Sequence, residues 1–140
     1  MDKIRIMPQG HWDWPLPVSL SQGWKIGPWV YLGGQVSQTP DGKVLHPFDI
    51  HAQIHVVYEN LATVLAEVGG TLADLVQMNT YYVYDGEPEG ADEYYKAMTR
   101  TRMEHVADPG PAATAVRVAG LALHGLMVEI DGVAYIPEDR

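Results

Sequence analysis

Two runs, Ala112 to Val118 and Leu126 to Ala134, constrain the fold more than any other feature of this sequence. In the first, Ala112, Val116 and Val118 alternate with Ala113, Ala115 and Arg117. In the second, Leu126, Val128 and Ile130 alternate with Met127, Glu129 and Asp131. Alternation with period two marks strands whose two faces meet different surroundings. If the larger apolar sets share one core, then Ala113, Ala115, Arg117 and Glu129 share the opposite face. A carboxylate and a guanidinium in mid-strand, on a face otherwise small and apolar, are the most informative side chains of the sequence.

The preceding chain supplies partners for these strands. Val18–Ile26 and Trp29–Val36 read as a hairpin turning at Gly27-Pro28. Gly33-Gly34 interrupts its second strand, which predicts a bulge or the close approach of a ligand. Asp49–Gly69 is the clearest helix, with Ile50, Ile54, Val57, Leu61, Val64, Leu65 and Val68 at helical spacing. Asp49 can cap its start and Gly69-Gly70 can end it. Leu75–Tyr84 is rich in strand formers, and Ala91–Val106 reads as a second, weaker helix. Residues 1–17 carry Pro8, Pro15 and Pro17 with Trp12 and Trp14. They read as a non-helical arm, docked by its tryptophans or laid over a pocket.

The resulting order is β-β-α-β-α-β-β, an α+β fold with both helices on one face of a mixed sheet. One domain of 140 residues is expected, with an arm at 1–17 and a core at 18–136. The uncovered face would carry Trp29, Tyr31, Ala113, Ala115 and Met127. Such a face is too apolar to stay wet, so a homo-oligomer is expected.

Composition narrows the function classes. The net charge of −9 repels phosphate backbones, which argues against nucleic acid as a partner. There is no cysteine, which excludes thiolate chemistry and disulfides and fits a cytoplasmic protein. No apolar run is long enough for a membrane span. His51, His55 and Glu59 follow at i, i+4 and i+8, a spacing open to a metal ion or to a plain polar helix flank. Without a histidine–glutamate metalloprotease motif, no metal site is assigned.

Five segments in order resemble the Rid family of reactive intermediate deaminases, also called the YjgF or liver perchloric-acid-soluble protein family. They are YLGGQVS at 31–37, QIHVVYENLATVLAEVG at 53–69, LADLVQMNTYYV at 72–83, PAATAVRV at 111–118 and LMVEIDGVA at 126–134. The resemblance implies a chorismate-mutase-like fold, a homotrimer with three pockets at subunit boundaries, and hydrolysis of enamines and imines such as 2-aminoacrylate. It implies no metal and no organic cofactor. It places the family's glutamate at Glu129 and its glycine-glutamine pair at Gly34 and Gln35. It also shows a departure. The carboxylate-binding arginine that follows Pro-Ala in the family's deaminases is Ala113 here, and an N-terminal tyrosine is replaced at Leu20.

Glu129 then has two readings: a base that orients and deprotonates water, or the structural ion-pair partner of Arg117. Arg117 itself either binds an anionic substrate larger than 2-aminoacrylate or forms an intersubunit salt bridge. Ala113 and Ala115 would widen the pocket, which Trp24, Trp12 or Trp14 could line. Two functions remain: an imine or enamine deaminase for a larger small molecule, and a non-catalytic small-molecule-binding trimer. An endoribonuclease role is disfavoured by the charge.

Overall fold

The computed structural model describes residues 2–139. It contains strands β1 (Lys3–Ile6), β2 (Gly23–Ile26), β3 (Trp29–Gln35), β4 (Leu75–Val83), β5 (Ala112–Val118) and β6 (Val128–Tyr135), with helices α1 (Ile50–Ala66) and α2 (Ala91–His105). The strands form one sheet in the order β1-β2-β3-β6-β4-β5. Every neighbouring pair is antiparallel except β4–β5. A parallel pair requires a crossover connection, and α2 supplies it.

The expected α1 forms where its apolar spacing places it. The Asp49 side chain accepts the Ala52 N–H at 3.1 Å, and Gly69 at φ +79° turns the chain away after the last turn. Ile50, Ile54, Val57, Leu61, Val64 and Leu65 are buried against Val30 and Leu32 of β3 and Val128 and Ile130 of β6. Each such side chain contributes about 1.5–3 kcal/mol by leaving water. The more polar α2 packs on α1 and adds Met98 to the same core. Both helices therefore cover one face of a six-stranded mixed sheet, the chorismate-mutase-like architecture expected.

One strand was not expected. Lys3–Ile6, read as part of a proline-rich arm, pairs antiparallel with β2 and buries Ile6 in the core. The four residues KIRI alternate charged and apolar positions, and the prolines begin only at Pro8. Conversely, β2 starts at Gly23 rather than Val18. Between β1 and β2 the arm docks, with Trp12 buried against Val36 and Leu126 in a second small core.

The register corrects the predicted faces. Paired residues of neighbouring strands project to the same side of a sheet. Ala115 pairs with Thr80, which pairs with Ile130; Arg117 pairs with Tyr82, which pairs with Val128. Ala113, Ala115 and Arg117 thus lie on the helix side. Glu129 pairs with Tyr81, and Tyr81 with Val116, on the open side. Residue size misled here: on this edge strand Ala115 lines a crevice beside α2, and Val116 looks out. Met127 is also displaced from the open face. It precedes β6, is buried in the main core, and its N–H is bonded by Gln53 Oε1 at 2.7 Å. The open face carries Trp29, Tyr31, Val116 and Tyr135, all exposed.

Candidate functional site

Glu129 stands on β6 in the middle of that open face, half-buried. On one side is the bulge of β3, where pairing with β6 shifts between Leu32 and Gln35. Gly33-Gly34 makes this bulge, as the glycine pair predicts. A Cβ on Gly34 would collide with Oε2 of Glu129, so glycine here lets the carboxyl lie directly against the backbone. On the other side is Tyr81. Asp131, two residues along the same face, accepts a hydrogen bond from Asn79 Nδ2 at 2.9 Å.

Burial raises the pKa of Glu129 above the ordinary carboxylate value, and the nearby Asp131 charge adds to the effect. Among the described residues no cation pairs with it in a salt bridge. A carboxylate made more basic, pressed against bare backbone, can accept a proton from water held beside it.

Gln35 does not behave as a ligand-binding side chain. It is 0 % exposed. Its Oε1 accepts from Trp12 Nε1 at 2.8 Å and from His11 Nε2 at 2.7 Å. Its Nε2 donates to Gln22 Oε1 at 2.8 Å and to Gly33 O at 3.1 Å. The indole is a donor only, so it fixes the amide orientation and requires His11 to donate from Nε2. Two donors and two acceptors are then all used, and Gln35 holds the arm to the bulge beside Glu129. A buried glutamine has four bonds to satisfy, and sequence alone does not say with what.

The remaining expected site residues are dispersed. Arg117 donates from Nε and Nη2 to Tyr84 O, at 3.1 and 2.6 Å, with its guanidinium 5.0 Å from the Tyr84 ring centre. It sits across the sheet from Glu129, so the two form no ion pair within the chain. Ala113 and Ala115 share the Arg117 side. Trp24 shares the open face, pairing with Tyr31, with Lys3 Nζ 4.4 Å from its ring centre. Two strand spacings and four residues separate it from Glu129, roughly 16 Å. Leu20 accepts Arg5 Nη2 through its backbone oxygen at 2.7 Å. Trp14 packs edge-on to Trp12, 5.8 Å between ring centres.

His55, of the possible metal-spaced set, meets His105 of α2 instead, Nδ1 to Nε2 at 2.7 Å. Among the described residues no three potential ligands converge on a metal position, and no helix is long and apolar enough to cross a membrane. Three residues beside the site escaped the sequence reading: Tyr81, Asn79 and His11. Tyr81 and Asn79 lie on the strand that pairs with β6, so only the register reveals them.

The family model described as endoribonuclease L-PSP matches residues 16–136. The protein belongs to this family, the Rid or YjgF family. It is similar to the RutC family protein YjgH of Escherichia coli, 28% identical over 99% of this chain and 98% of that one. The 3-aminoacrylate deaminase RutC of Acinetobacter baylyi is 31% identical over 76% of this chain and 79% of its own length. Among solved structures, RidA from an Antarctic Psychrobacter superposes with a TM-score of 0.77 at 27% identity, covering 95% of this chain and 99% of that one.

Proposed function

We propose that this protein is a hydrolytic deaminase of imine and enamine small molecules, acting as a cytoplasmic homotrimer without metal or organic cofactor. The observation that carries the proposal is Glu129: half-buried, more basic than an ordinary carboxylate and set against Gly34 on an open apolar face. Membership of the family and the similarity to a deaminase support the reaction class.

In the proposed chemistry an enamine first tautomerises to its imine. Glu129 takes a proton from water as the oxygen bonds to the imine carbon. The same carboxyl returns that proton to nitrogen, giving a carbinolamine; it then takes the hydroxyl proton and passes it to the amino nitrogen as the C–N bond breaks, so that ammonia leaves a carbonyl product. Gly34 keeps the space beside the carboxylate open. The second wall of the pocket is proposed to come from another copy, since β5 is an edge strand with one side unpaired. Glu129 and Ala113 lie on opposite faces within one chain, so a pocket using both needs two chains. Ala113 and Ala115 make that wall shallow, which favours a substrate larger than 2-aminoacrylate.

Imines generated in place by an amino-acid oxidase from small and bulky amino acids test the proposal, with ammonia release as the readout. Bulky imines should be cleared faster than 2-aminoacrylate, and Ala113→Arg should raise the rate on 2-aminoacrylate. Acceleration of none of them by the wild type would leave a non-catalytic binding trimer as the function.

A further inference from the structure

We infer that His55 of α1 and His105 of α2 form a separate site on the helix side of the sheet, a two-histidine seat for one divalent late transition-metal ion of the Ni2+ or Cu2+ kind. Nδ1 of His55 and Nε2 of His105 face each other at 2.7 Å across the contact between the two helices. The two residues lie 50 positions apart in the chain, so the fold and not local spacing brings them together. His55 is exposed and His105 half-buried, which leaves the point between them open to solvent. Imidazole nitrogens hold such ions at about 2.0–2.1 Å. At neighbouring corners of a square or octahedron two of them then stand about 2.8–3.0 Å apart. A tetrahedral ion would hold them about 3.3–3.4 Å apart. The observed separation lies near the first value, which is why the geometry favours Ni2+ or Cu2+.

Each ring is also held from behind. His105 stacks on Tyr58, with 4.9 Å between ring centres and 13° between planes. Tyr58 is 1 % exposed, so the stack rests on a fixed base. The other nitrogen of His55, Nε2, stands 3.8 Å from Oε2 of Glu104. A carboxylate behind an imidazole keeps the ring proton on the nitrogen it faces and leaves the opposite lone pair free for a metal. Nδ1 of His55 is therefore the acceptor in the pair, and Nε2 of His105 the donor. A bound ion takes the place of that one proton. The neutral His105 ring can carry the proton on Nδ1 instead, so binding needs no net proton release.

Charge favours a dication at this point. Glu59, one turn on from His55, and Glu104 both act electrostatically on His105. The chain as a whole carries −9. The two facing donors are nitrogens, which late transition metals accept and which Ca2+ and Mg2+, with their preference for oxygen, do not. Two protein ligands leave the remaining positions of the ion to water. His51, one turn before His55 on the same helix, is exposed and has no hydrogen-bond or ion-pair partner among the described residues, so it stands outside the pair. The sheet separates the two histidines from Glu129, so the inference stands apart from the deaminase proposal and its metal-free chemistry.

Ni2+ titrated into the untagged full-length protein by calorimetry tests it, with Ca2+ as the comparison. Saturable binding of one Ni2+ per chain is expected, millimolar or tighter, with Ca2+ at least tenfold weaker. His55→Gln and His105→Gln should each weaken Ni2+ binding at least tenfold. His51→Gln should leave it unchanged. Glu129→Gln should also leave it unchanged, which separates this site from the proposed catalytic one. In the wild type, Ni2+ should broaden the ring proton resonances of His55 and His105 ahead of those of the other histidines, a readout that needs no variant. Absence of saturable Ni2+ binding, equal binding of Ca2+, equal binding by His55→Gln or by His105→Gln, or broadening centred on another histidine would overturn the inference.

Discussion

At Glu129 two influences act in the same direction: loss of water and the charge of Asp131 both raise the pKa. A carboxyl whose pKa is higher folded than unfolded stabilises the fold below its unfolded value, near 4.5, and that contribution is lost as pH rises through the folded value. At neutral pH the ionised Glu129 therefore opposes folding. Glu129→Gln should melt at pH 7 no lower than wild type, with any gain disappearing near pH 4.5, as followed by thermal melts across pH. A melting point lower at pH 7 would instead mark Glu129 as a structural ion-pair partner, in which case Arg117→Leu should show a matching loss. Gly34→Ala addresses the same contact from the other strand. The added methyl collides with the carboxylate, so activity should fall at least tenfold with the fold retained, read by turnover beside circular dichroism.

Among the elements, the arm depends on one side chain. Removing Gln35 leaves the Trp12 indole N–H and the His11 ring unpaired, at about 1–3 kcal/mol for each buried group. Gln35→Leu should therefore loosen residues 8–20, seen as earlier proteolytic cleavage there. His11 adds a pH dependence. Burial lowers its pKa, outweighing the Gln35 hydrogen bond, so its contribution is present above about 6.5 and lost as pH falls through the folded value. His105 shifts the same way, chiefly by burial and then by His55. Stability should decline below about pH 6.5, and His11→Gln should flatten part of that decline. The elements show what alternation can and cannot tell. In β6 it gave the correct core face, because Val128 and Ile130 meet α1 on a central strand. In β5 it gave the wrong one, because an edge strand beside a helix crevice carries alanine inward and valine outward. The arm's β1 was legible in KIRI but hidden by the prolines that follow. The Gln35 network, built from residues 11 to 35, has no local signal at all.

For the whole molecule, the open face with Trp29, Tyr31, Val116 and Tyr135 is the large unsatisfied surface. Trp29 and Tyr135 already pack edge to face there, 5.0 Å between ring centres. Light scattering at micromolar concentration should give about three times 15.5 kDa. Tyr31→Glu, which puts a charge on that face, should shift the protein toward monomer and take activity with it. Family, fold class and the Glu129–Gly34 pair were legible because they rest on long segments in order and on one glycine-marked bulge. The distribution of the other site residues was not, because it follows from strand register. The most direct test of the central claim measures ammonia release from oxidase-generated imines by wild type and Glu129→Gln, with the mass of both in solution known. Turnover of Glu129→Gln should be reduced roughly 10²-fold or more, with assembly intact and the melting temperature at pH 7 no lower. A variant with full turnover on a substrate the wild type hydrolyses would contradict it.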